Sequence, residues 1–165
     1  MGVSMRDGVR LAIEEIKSVF AGRLRCMDAK DWDHYGDFHT DDIVSDTWRD
    51  ARRDGANPAP VVTGRQALTA AIRATLDGPV PITSVHHGHT PQIELTSDTT
   101  ARGVWAMEDR LWWANGEVEE HLHGWGHYHE TYRKVDRRWL ISSRTLTRIR
   151  VDVTPGFHRR RTRSE

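Results

Sequence analysis

Residues 101–135 read ARGVWAMEDRLWWANGEVEEHLHGWGHYHETYRKV. Two strand-like runs, both with tryptophan, flank Asn115-Gly116, and Asn-Gly between such runs is a strong short-range signal for a β-hairpin. In the first run, alternation sets Trp105, Met107 and Asp109 on one face and Ala106 and Glu108 on the other. In the second, His121, His123, His127 and His129 share a face opposite Leu122, Gly124, Gly126 and Tyr128. Working outward, Ile82–Leu95 precedes the hairpin and Trp139–Val151 follows it, joined through Ser97-Asp98 and Asp136-Arg137. Four long strands in succession form an antiparallel meander, in which Pro91 suits a bulge or an edge.

Upstream the period changes. Val9, Ile13, Ile16, Phe20, Leu24 and Met27 recur at three- and four-residue steps, the stripe of a helix with one buried face. Trp32, Tyr35 and Phe38 mark a second, short helix, and Ile43 to Trp48 a short strand. Arg49 to Val62, with Gly55, Pro58 and Pro60, reads as a loop that covers a site. Thr63 and Gln66 make a capping-box pattern that opens a helix carrying Leu68, Ile72 and Leu76. Helices followed by a meander give an α+β fold, with helices packed on one face of a curved, mainly antiparallel sheet. Residues 1–153 form a single domain on this reading, and 154–165 a basic, disordered tail with four arginines.

The 165 residues carry 24 Lys and Arg against 24 Asp and Glu, for a formal net charge of +0. A balanced chain argues against nucleic acid as a partner. No apolar run approaches the roughly 18 residues of a membrane span, and no apolar core follows the N-terminal charges as a secretory signal requires. The expectation is a cytoplasmic protein. With Cys26 alone, an intrachain disulfide and a cysteine-built zinc site are both out of reach. Neither a Gly-x-Ser-x-Gly elbow nor a phosphate-binding glycine loop is present.

Several positions carry possible chemistry. Asp28 ends the apolar helical stripe, where burial opposes its charge and calls for a partner; the alternative is a helix-terminal carboxylate in water. His86 and His87 are adjacent in a strand, so one of them enters the interior, where an imidazole held by a carboxylate is a positioned general base. Glu108 is bracketed by apolar neighbours, with an ion pair to an arginine as the plainer reading. Tyr128 faces the side of small residues, with room for a ligand beside it. Arg144 shares a face with Leu146 and Arg148, and an inward arginine needs a carboxylate or a bound anion; Arg23, inside the first helical stripe, raises the same need. The outer histidines, with Glu130 near, are the spacing of a cupin-like metal site.

The chain resembles the SnoaL-like group of the nuclear-transport-factor-2-like superfamily. The resemblance runs from about Ile13 to Val153 and rests on Met27-Asp28-x-x-Asp31-Trp32, Phe38-His-Thr-Asp-Asp-Ile43, Gly64-Arg-Gln-Ala-Leu68, Ser84-Val-His86, Gly126-His-Tyr128 and Trp139-Leu-Ile-Ser-Ser-Arg144. It implies a cystatin-like α+β cone enclosing an apolar pocket, and activities like those of scytalone dehydratase, a bile-acid dehydratase and hexachlorocyclohexane dehydrochlorinase. By that likeness Asp28 and His86 form the basic dyad, Glu108 is an additional pocket carboxylate, and Arg23 and Arg144 are the pocket's cations. Trp48 and Trp105 are candidate pocket walls, and Tyr128 a candidate proton donor. The implied function is a cofactor-independent lyase or double-bond isomerase for an apolar small molecule. Its alternatives are a ligand-binding or assembly module of the same fold, and a histidine-rich metal protein. A homo-oligomer, trimer or dimer, is expected.

Overall fold

A computed structural model describes residues 5–47 and 60–156. Helix α1 (Met5–Ala29) leads into the single turn α2 (Trp32–Tyr35) and a 3-10 turn (Gly36–Phe38). Strand β1 (His39–Asp46), the two-residue β2 (Val62–Thr63) and helix α3 (Arg65–Leu76) follow. The meander is β3 (Thr83–Leu95), β4 (Thr100–Asn115), β5 (Val118–Val135) and β6 (Arg138–Val153). The sheet runs β2-β1-β6-β5-β4-β3, antiparallel throughout except where β1 lies parallel to β6. No helix among the described residues is long and apolar enough to cross a membrane.

The stripe on α1 does what its spacing requires. Ile16, Phe20, Leu24 and Met27 are buried against the sheet, together with Trp105, Met107, Tyr128, Tyr132, Ile141 and Leu146 from its inner face. Close approach of α1 to β3 needs glycine: a Cβ on Gly88 of β3 would lie 2.1 Å from the Phe20 ring. There the strand bulges between Gly88 and Pro91, and β3 is also the sheet edge, so Pro91 occupies both of the settings open to it.

Turn chemistry agrees with the sequence except in two details. The hairpin loop is Gly116-Glu117, because Asn115 pairs with Val118; Gly116 supplies the positive φ of 65°. Asp136 and Arg137 both take positive φ, 47° and 65°, the conformation of a type I′ turn. The capping box at Thr63 is not used. Thr63 pairs with β1, and Gly64 at φ 98° stands at the N-cap with no side-chain hydrogen bond, because the sharp exit from β2 demands that backbone. Thr154 exchanges hydrogen bonds with His121, and the Gly156 amide donates to Glu120, so residues 154–156 are bound to β5. The rest of the expected tail and the covering loop over residues 48–59 lie outside the described residues.

Candidate active site

Helix α1 ends in a Schellman motif: the Asp31 amide bonds the Cys26 carbonyl at 2.8 Å and the Lys30 amide the Met27 carbonyl at 3.3 Å, with Lys30 in the left-handed region at φ 60°. This stop presents Asp28 to β3. Its Oδ1 lies 2.6 Å from His86 Nδ1 and accepts from the Ser84 hydroxyl at 2.9 Å; its Oδ2 accepts from the His86 amide at 2.8 Å. Lys30 Nζ in turn donates to Ser84 Oγ at 3.1 Å. Burial alone would raise the Asp28 pKa, but the hydrogen bonds and charge of His86, with Ser84, more than offset it and hold the carboxyl below its usual value. An ionised Asp28 fixes the proton on His86 Nδ1. His86 Nε2 makes no hydrogen bond among the described residues, so its lone pair is open to take a proton.

Asp109 stands directly across from His86 on β4. Both its oxygens are taken by Arg148, at 2.6 Å each, and the pair rests over Gly124, where a Cβ would come within 2.4 Å of Asp109. Glu108 is therefore not the interior carboxylate. It lies on the outer face, where His123 Nε2 is 2.6 Å away, Arg110 3.3 Å and His89 Nε2 3.9 Å. One residue of shift reverses the face, and alternation had already grouped Asp109 with Trp105 and Met107. The missing signal was which of the two faces the helices cover.

Farther along the inner face, Arg23 is fully buried, with Nη2 3.2 Å from Glu130 Oε1. The separation is that of an ion pair, although the angle is too poor for a hydrogen bond. Burial would lower the Arg23 pKa; Glu130, together with Tyr128, Tyr35 and Tyr132, more than compensates and keeps the guanidinium charged. Glu130 thus faces inward rather than toward the outer histidines, and its Oε2 accepts from the Tyr132 hydroxyl, which accepts from Trp105 Nε1 at 2.9 Å. The Trp105 ring stacks on Phe20 with centroids 3.7 Å apart, and the Arg23 guanidinium lies 5.0 Å from Phe20 and 4.9 Å from the buried Tyr128 ring. Burial raises the Tyr128 pKa, so its hydroxyl stays protonated. Arg144 is 3% exposed and reaches Ser45 Oγ at 3.3 Å. Trp48 falls outside the described residues.

The structure thus joins Asp28 to His86, groups Arg23, Tyr128 and Trp105 around Phe20, and sets Glu108 apart. His121, His123, His127 and His129 face outward, and among the described residues no three His, Cys, Asp or Glu side chains are placed to hold a metal. A hollow of about 640 Å³ is lined by Pro91 to Glu94, Arg102 and Gly103, and one of about 190 Å³ by Arg110, Trp112 and His121 to His123. Neither reaches the dyad.

A family model described as a SnoaL-like domain matches residues 9–145. Among solved structures, a candidate scytalone dehydratase from Novosphingobium aromaticivorans superposes with a TM-score of 0.76 at 17% identity, over 91% of this chain and 92% of that one. The Kfla4162 protein of Kribbella flavida gives 0.74 at 19%, over 87% and 95%. The LinA-type3 hexachlorocyclohexane dehydrochlorinase of Novosphingobium barchaimii gives 0.69 at 15%, over 92% and 94%. At such identities these likenesses speak for the fold alone.

Proposed function

The chain belongs to the SnoaL-like domain family of the nuclear-transport-factor-2-like fold, and from that premise we propose that it is a cofactor-independent lyase or double-bond isomerase acting on an apolar small molecule. One observation carries the reading: His86 is held through Nδ1 by an ionised Asp28 at 2.6 Å while Nε2 stays open. His86 Nε2 takes a proton from a carbon of the substrate, and Asp28 stabilises the imidazolium that forms. The electron pair left on carbon then expels a leaving group from the neighbouring atom, or shifts along a conjugated system and is reprotonated by the same imidazolium. Family neighbours described as dehydratase and dehydrochlorinase support the first outcome.

The other roles follow from charge and protonation. Tyr128, protonated and beside Arg23, donates a hydrogen bond or a proton to a departing oxygen. Arg23 and Arg144 stabilise developing negative charge but do not give up protons at ordinary pH. Asp109, with both oxygens on Arg148, is a fixed charge rather than a proton carrier. Trp105 walls the interior.

The base is testable before the natural substrate is known. 5-Nitrobenzisoxazole loses a carbon-bound proton and ring-opens to a coloured phenolate, so it reports on a base in an apolar setting. We expect wild-type protein to accelerate this reaction, and His86→Gln and Asp28→Asn to lose about 10²- to 10⁴-fold of the rate with folding retained. Equal rates in wild type and both variants, or no acceleration above buffer, remove the base.

A further inference from the structure

Beyond the dyad, the interior holds several polar atoms that no described protein group meets. Between α1, β1 and β6, Arg23 Nε and Nη1, Tyr35 Oη, His39 Nε2 and Arg144 Nε are buried and meet no hydrogen-bond partner among the described residues. Their residues are 0%, 0%, 1% and 3% exposed in that order. A buried polar atom left unmet keeps its full desolvation penalty, so a group of them in one region points to a polar guest.

His39 determines what kind of guest. Its Nδ1 lies 3.1 Å from the Tyr35 carbonyl, which only accepts, so Nδ1 carries the hydrogen. Burial, then Arg144, then Arg23 hold the ring well below its ordinary pKa, so it is neutral and Nε2 is a bare acceptor. The two arginines only donate. A carboxylate would satisfy them and set a lone pair against Nε2; an ammonium would satisfy Nε2 and meet two cations. A hydroxyl answers both, giving its hydrogen to His39 and taking hydrogen bonds from arginine. Arg23 already has Glu130, whereas the described polar contact of Arg144 is the neutral Ser45 hydroxyl. The remaining positive charge favours an acidic hydroxyl, a phenol or an enol.

We propose that His39 is a specificity-determining residue, whose Nε2 accepts a hydrogen bond from a phenolic or enolic hydroxyl of the ligand while Arg144 donates to the same oxygen. The proposal rests on the reading that the interior is the ligand site, and it adds a second pole to it. β1 and β3 are four strand spacings apart in the sheet, about 19 Å along a flat sheet and less across its concave side. His39 and His86 therefore grip different ends of a ligand of several fused rings.

Binding of 2-naphthol, 2-methoxynaphthalene and 2-naphthoate by equilibrium dialysis tests this without turnover. Wild type should hold 2-naphthol about tenfold more tightly than the ether or the carboxylate, the effect of one buried hydrogen bond. His39→Phe should abolish that preference and leave ether binding within about twofold, while His39→Gln, whose amide oxygen still accepts, keeps part of it. In wild type, 2-naphthol should also move the His39 Nε2 resonance in nitrogen NMR, which decides the matter if His39→Phe fails to fold. Equal binding of naphthol and ether, tighter naphthoate, a preference that survives His39→Phe, or a stationary Nε2 resonance would each overturn the proposal. His86→Gln should retain the naphthol preference, so loss of the base and loss of the hydroxyl pole are separate results.

Discussion

Asp28 stands at the end of a helix that electrostatics denies to carboxylates, since the last carbonyls carry partial negative charge. The His86 amide and imidazole and the Ser84 hydroxyl reverse that disadvantage. Two interior groups with opposite chemistry, Asp28 and His39, shift stability with pH in the same direction. Asp28 has a folded pKa below its unfolded value near 3.8, so its contribution is present above that pH and is lost as pH falls through the folded value. His39 has a folded pKa well below 6.5; the unfolded chain takes up a proton there that the folded chain refuses. Its stability is complete above about 6.5 and drains away as pH falls. Urea unfolding between pH 7.5 and 5 should show stability dropping with acid, and His39→Phe should flatten the slope by up to about 1.4 kcal/mol per pH unit. An unchanged slope would mean that folded His39 is protonated.

At the scale of elements, α1 docks on the sheet through a ring laid on a glycine. Phe20 stacks on Trp105, meets Tyr128 edge-on at 5.9 Å, and covers Gly88. The same docking brings Arg23 and Asp28, about one and two turns farther along α1, to their partners on β5 and β3. Gly88→Ala places a methyl inside the ring's space, and because the obstacle is a packed aromatic stack, the overpacking should cost about 1–3 kcal/mol. Thermal unfolding reads the loss, and a Tm equal to wild type would show that α1 is free to shift. The period of the stripe announced this helix and its buried side. Arg23 was visible inside the stripe as an anomaly, but Glu130 could not be named as its partner, since it lies 107 positions and four intervening strands farther along the chain.

At the scale of the molecule, the outer sheet face remains to be accounted for. It carries half-buried Trp112 and Trp125, and β6 extends from it with Ile149 at 73% exposure. We propose that the chain assembles as a homo-dimer or homo-trimer. Light scattering on a sizing column should return two or three times the 19.0 kDa chain mass; a monomer at tens of micromolar would remove the proposal. Strand and helix periods, turn residues and element order are local properties, and the α+β architecture follows from them because each element must bury one face. Spacing also told that His86 and His87 point to opposite sides, and Glu108 and Asp109 likewise. Which side is the interior depends on where α1 comes to rest, a matter of packing between distant segments. That single choice turned Glu108 outward, set Asp109 beside His86, brought Asp28 within 2.6 Å of an imidazole 58 positions away, and left His39 facing inward with an open nitrogen. Period is encoded residue by residue, whereas the identity of a buried neighbour exists only once the chain has closed on itself.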